Sequence, residues 1–140
     1  MGWFPKQKVV TPIDFSDESF EALKVALQIA SEPVGVHAVY VLNELSPVEP
    51  GEIWKTVTKE SRQQHAIAAM RKQLADPVYD DIHVEVRLGD AGREIVAYAE
   101  EIGADLIVMP SHGRSGIARL MIGSVAERTV RLAHCPVLVP

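Results

Sequence analysis

Short apolar runs and amphipathic segments alternate along this chain from end to end, and that alternation limits its fold more than any other feature. Residues 8–13 (KVVTPI) read as a first strand, with Pro12 tolerable only near a strand's end. Asp14-Phe15-Ser16-Asp17 supplies turn and N-cap chemistry. Phe20, Leu23, Leu27 and Ala30 then repeat at helical spacing until Pro33. Residues 34–42 are apolar almost throughout, as a strand covered on both faces should be. Pro47, Pro50 and Gly51 mark a loop, and a long polar helix is expected over roughly 52–75, carrying Ile67, Met70 and Leu74 and ended by Pro77. Residues 82–88 alternate apolar and polar, which predicts a strand with one wetter face near a sheet edge. Gly89-Asp90-Ala91-Gly92 turns into a helix with Ile95, Val96, Ala99 and Ile102 inward and Gly103 at its end. Residues 106–109 give a fourth strand, 123–133 a fourth helix and 136–139 a short last strand.

This β-α-β-α-β-α-β-α-β order predicts one α/β domain over residues 1–140, a three-layer sandwich with helices on both faces of a five-stranded parallel sheet. With the first strand central, the strand order is 3-2-1-4-5 and the winding reverses between strands 1 and 4. Such sheets bind ligands at the carboxyl ends of strands beside that reversal. Residues 12–16 then share a crevice with the loop after the fourth strand.

A net charge of −5 argues against a general nucleic-acid binder. The single cysteine, Cys135, excludes an internal disulfide and reads as an inert packed thiol. The five residues before Lys6 are too few for a signal peptide, and the longest apolar run, 34–42, is too short to span a bilayer. A cytoplasmic protein without membrane contact is expected. His37, His65, His83 and His134 show no metal-ligand spacing and read as surface or packed side chains.

Residues 106–125 (LIVMPSHGRSGIARLMIGSV) carry the chemistry. A buried strand opens into a loop with Gly113 and Gly116, and Gly123-Ser124 starts the next helix. Glycines let backbone N–H groups approach an anion, and a helix's first-turn N–H groups are unpaired and carry partial positive charge. The nine residues between Gly113 and Gly123 exceed what a simple turn needs. No lysine follows Gly123-Ser124 and no G-x-G-x-x-G occurs, so neither a P-loop nor a dinucleotide fingerprint is present. Ser124 to Glu127 fits a capping box, so Ser124 either caps its helix, turns its hydroxyl to phosphate, or does both. Arg114 and Arg119 are candidates to reach phosphate, with solvated charge as the plain alternative. Asp14 either caps the first helix, accepts a hydrogen bond from a base or ribose, or helps to hold a divalent ion. Ser111-His112 lacks a third orienting group for nucleophilic catalysis, and both read as loop residues near ribose or phosphate.

The segments 11–16 (TPIDFS), 109–116 (MPSHGRSG), 123–128 (GSVAER) and 134–139 (HCPVLV) resemble the universal stress protein family over nearly the whole chain. The ATP-binding branch of that family carries Gly-x2-Gly-x9-Gly-(Ser/Thr). Gly113, Gly123 and Ser124 match it, whereas Pro110 replaces the first glycine and offers no N–H. The resemblance implies a Rossmann-like fold of the adenine-nucleotide hydrolase type. It implies ATP, or AMP or ADP, often with Mg²⁺. Adenine is expected near Pro12, Ile13, Asp14 and Val41, ribose near Met109, Ser111, His112 and Gly113, and phosphates on Gly113, Arg114, Gly123, Ser124 and Val125. It also implies a homodimer, and the apolar last strand with Val137, Leu138 and Val139 gives that dimer a physical motive. A stress or regulatory role is expected, with at most slow ATP hydrolysis. Three alternatives stand beside it: a dimeric partner protein that binds no nucleotide, a response-regulator-like phosphoacceptor domain, and a nucleotide-using hydrolase or transferase. The second lacks a lysine on the last strand, and the third lacks an evident general base.

Overall fold

A computed structural model describes residues 5–42, 59–111 and 123–140. Five strands, β1 (Val9–Pro12), β2 (Val36–Leu42), β3 (His83–Leu88), β4 (Leu106–Val108) and β5 (Val137–Leu138), form one parallel sheet ordered β3-β2-β1-β4-β5. Four helices are described: α1 (Asp17–Ile29), α2 (Lys59–Gln73), α3 (Ala91–Ile102) and α4 (Ser124–Leu132). The expected fold class and strand order are therefore observed.

Alternate residues of β1 feed two cores, as a strand's period of two requires. Val9 and Ile13 join Leu23 of α1 and Met70 of α2 on one face. Val10 joins Ile95 of α3 and Ala126 of α4 on the other. Burial in α1 centres on Ser19, Ala22, Leu23 and Ala26, whereas Phe20, Leu27 and Ala30 are only partly buried. Small residues let this helix lie close to the sheet, which shifts its inward stripe from the one expected.

β3 is an edge strand, as its alternating pattern predicts. Its wetter face holds Arg87, paired with Glu85 at 2.8 Å and Glu101 at 2.7 Å, with the guanidinium carbon 5.0 Å from the Tyr98 ring centre. On the strand's outer edge Gln63 of α2 donates to the Val86 carbonyl at 3.1 Å, which satisfies one edge acceptor.

Several boundaries differ from expectation. Pro33–Gly35 form a 3₁₀ turn, so β2 starts at Val36; proline at the first position of the turn favours that conformation. A second such turn covers Pro77–Tyr79, capped by Asp76. Gly103 does end α3 in the left-handed region, at φ 69°. The capping-box reading of Ser124 is corrected. Gly123 holds the N-cap position with no side-chain cap, its carbonyl accepts from the Glu127 N–H at 2.9 Å, and Ser124 is already helical. The expected start of the α2 segment, the loop at Pro47 to Gly51, and Gly113, Gly116 and Arg119 lie outside the described residues.

Candidate functional site

Because β2 and β4 flank β1 on opposite sides, the winding reversal falls where expected, and a crevice opens at the strands' carboxyl ends. Its volume is about 520 Å³ with the mouth included. Pro12, Ile13 and Asp14 come from the end of β1, Val39, Tyr40 and Val41 from β2, and Met109 and Pro110 from beyond β4. Ala91 and Ile95 of α3 and Val125 and Ala126 of α4 close it from the helical side. The lining is mainly apolar, with a carboxylate and a serine among it. That suits a flat heteroaromatic ring whose polar edge meets a few fixed groups.

Of the residues expected to bind ligand, Pro12, Ile13, Asp14, Val41, Met109 and Val125 line this crevice together. Ser111, Gly123 and Ser124 adjoin it in sequence without lining it. His112, Gly113 and Arg114 lie outside the described residues. Sequence reading missed Ser19, Val39, Tyr40, Ala91, Ile95 and Ala126, and treated Pro110 only as a departure from a glycine pattern. Val39 shares a sheet face with the expected Val41, two residues along β2, so parity was the signal that could have flagged it; Tyr40 belongs to the opposite face and carries no such signal.

Asp14 does not cap α1. Ser16 does, accepting from the Ser19 N–H at 3.1 Å. Asp14 Oδ1 accepts from the Ser16 N–H at 3.0 Å and from the Ser16 hydroxyl. Ser19 donates through its own hydroxyl to the Ser16 carbonyl at 2.8 Å. This knot fixes the carboxylate at the crevice wall. On the opposite wall α4 begins. Its first-turn N–H groups, those of Ser124 and Val125 included, lie outside the helix's own ladder. The Gly123 N–H is engaged differently: it donates to the Ser111 carbonyl. Of the backbone donors expected to take phosphate, this one is already bonded within the protein.

Asp90, the carboxylate that would serve a phosphoacceptor reading, caps α3 through the Arg93 N–H at 3.1 Å and pairs with Arg128. At the amino ends of the strands, His37 stacks on His83 at 4.4 Å and its Nδ1 lies 2.7 Å from the Tyr98 hydroxyl. Burial, then the neighbouring His83 and Lys8, push His37 down to about 4. Cys135 is half-buried and burial raises its thiol, which suits an inert packing role. Among the described residues, no group of three or more His, Cys, Asp or Glu side chains is placed to hold a metal, and no helix is long and apolar enough to cross a membrane.

Fold, switch-point crevice and motif positions together define an α/β protein of a known kind. The chain belongs to the universal stress protein family, whose model matches residues 6–139. Universal stress protein MJ0531 of Methanocaldococcus jannaschii is 41% identical over 138 residues, covering 95% of this chain and 81% of that protein. The solved structure of MJ0577, a universal stress protein of the same organism, has a TM-score of 0.68 at 27% identity and covers 95% of this chain and 94% of its own. A universal stress protein in complex with cAMP has a TM-score of 0.66 at 26% identity, over 97% of both chains.

Proposed function

We propose that this protein is a regulatory adenine-nucleotide binder of the ATP-binding branch, acting as a cytoplasmic homodimer. The observation that carries the reading is the apolar crevice at the winding reversal, with Asp14 on one wall and the start of α4 on the other. Adenine lies between Ile13, Val41 and Met109, with Asp14 as a hydrogen-bond acceptor for base or ribose. Phosphates meet the first turn of α4 at Ser124 and Val125 and the segment carrying His112, Gly113 and Arg114. Mg²⁺ accompanies the phosphates. That a relative of similar fold was solved with cAMP supports an adenine ligand. Micromolar affinity requires about 8 kcal/mol, within reach of one buried base and several backbone contacts.

Acid extraction of the purified protein should release an adenine nucleotide. Calorimetric titration should give heat with ATP for the wild type and none for Gly123→Val, whose branched Cβ crowds the helix entrance. Equal heats for both proteins would remove the site as described. The open edge of β5, with Val137, Leu138 and Val139, pairs two copies; sedimentation should give a dimer that Val139→Asp dissociates. One observation favours a second reading, a dimeric partner protein without nucleotide. Pro110 lines the crevice and has no N–H to offer an anion. No heat with any adenine nucleotide, together with an intact dimer, would select it.

A further inference from the structure

The turn that holds Asp14 contains a residue in an unfavourable conformation. Phe15 has φ 65°, and among the described residues it alone enters the left-handed region without being glycine. For a bulky L side chain that region is strongly disfavoured, because Cβ crowds the following carbonyl. Such a conformation persists only where surrounding contacts enforce it. Here the contacts are aromatic. The Phe15 ring meets Tyr40 edge-on at 4.9 Å and 84°, and Phe20 at 6.4 Å and 68°. Tyr40 belongs to β2 and lines the crevice, and Phe20 belongs to the first turn of α1. One ring therefore joins the turn to both elements that border it.

The left-handed step sits between the two ends of the Asp14–Ser16 contact. It lets the Ser16 N–H fold back onto the carboxylate of Asp14 while the chain enters α1. We infer that Phe15 is a positioning residue for the crevice. Its backbone conformation aims Asp14 at the ligand, and its ring, wedged between Tyr40 and Phe20, holds that conformation in place. The affinity part of this inference rests on the nucleotide reading; the turn itself does not.

The test uses the full chain with Phe15→Tyr, Phe15→Gly, Phe15→Ala and Phe15→Asn. AMP and ATP are titrated calorimetrically well below each variant's melting point, and exchange of the Ser19 amide, which is bonded to Ser16 Oγ, is followed by NMR. Phe15→Tyr keeps the ring and should match the wild type. Phe15→Ala loses the ring and keeps the Cβ penalty. The turn should open, with Ser19 exchange and Kd both rising about tenfold, the size of a typical left-handed penalty. Glycine enters that region freely and asparagine more readily than most. Phe15→Gly and Phe15→Asn should therefore recover most of the affinity lost in Phe15→Ala.

That recovery separates the backbone conformation from the ring, since glycine and alanine both lack the ring and differ in the cost of the left-handed turn. Wild-type affinity and Ser19 protection in Phe15→Ala would overturn the inference, as would a glycine variant that binds worse than the alanine one. If the wild type binds no nucleotide, the functional reading fails by itself. The order of Ser19 exchange among the variants then decides the role of Phe15: alanine fastest supports it, and equal rates refute it. Should Phe15→Ala fail to fold, the comparison of Phe15→Asn and Phe15→Gly with the wild type carries the same test.

Discussion

Replacing Thr11 by valine should make this protein more stable. Thr11 lies in the central strand β1, opposite Ala38 of β2, and is 0% exposed. By strand parity it shares a face with Val9 and Ile13, which belong to the core beneath α1 and α2. Its hydroxyl oxygen has no hydrogen-bond partner among the described residues. A buried hydroxyl without a partner costs about 1–3 kcal/mol. Valine has the same branched shape and replaces the hydroxyl with a methyl, so no cavity opens and no rotamer must change. The strand preference of the two residues is similar. A gain of about 1 kcal/mol is expected after allowing for relaxation around the site, or roughly 2–4 °C in melting temperature for a domain near this size.

Thr129 provides the control. It is also 0% exposed, but its hydroxyl donates to the Val125 carbonyl at 2.7 Å. There the same substitution removes a made hydrogen bond and should cost about 1 kcal/mol. Urea denaturation of both variants, with unchanged m values, gives the comparison. Opposite signs for Thr11→Val and Thr129→Val support the reasoning. A loss of 1 kcal/mol or more in Thr11→Val, taking ~1 as the scale of one hydrogen bond, would show that its hydroxyl is bonded after all.

Three further outcomes are expected. A Cβ on Gly35 would lie 2.0 Å from the Gln7 carbonyl oxygen, a backbone atom that cannot turn aside, so Gly35→Ala should cost about 3 kcal/mol in urea denaturation. At Gly92 an added Cβ meets Arg128 Cβ and Cγ at 2.9 Å where α3 crosses α4; Gly92→Ala should cost about 1–2 kcal/mol and weaken the proposed nucleotide binding by shifting Val125 and Ala126, as paired melting and titration would show. His37 is held neutral, its value lowered to about 4 by burial first, so the unfolded chain takes up a proton near 6.5 before the folded one does. Stability from this group is complete above 6.5 and declines as pH falls toward 4; a wild-type melting curve that drops no faster than that of His37→Phe over this window would contradict it.

The fold was legible because burial on a sheet writes itself into side-chain type. Continuous apolar runs at β2 and β4 and the alternation at β3 placed central and edge strands correctly, since each strand's exposure depends on its neighbours. Shifts at the ends came from short-range geometry that periodicity does not encode. Pro33 drew Val34 and Gly35 into a tight turn, and Ser16 rather than Asp14 took the cap of α1. Both serine and aspartate favour that position, and only the path of the chain through Phe15 decides between them.

The candidate site divides along the same line. Side chains that face the crevice from strand ends, such as Ile13, Asp14 and Met109, are found by combining strand parity with topology. Backbone donors are not, because an N–H looks alike at every residue but proline. Gly123 is the instructive case. Its lack of a side chain marks it as a place where something approaches the main chain closely, and the approaching group here is the Ser111 carbonyl. A glycine that permits a tie between residues 111 and 123 and a glycine that admits a phosphate have the same sequence signature. Substitution separates them. If the tie is the main role of Gly123, valine there should lower stability as well as affinity; if phosphate is, affinity should fall with the melting temperature nearly unchanged. Melting Gly123→Val beside its titration therefore tells which of the two roles the glycine serves.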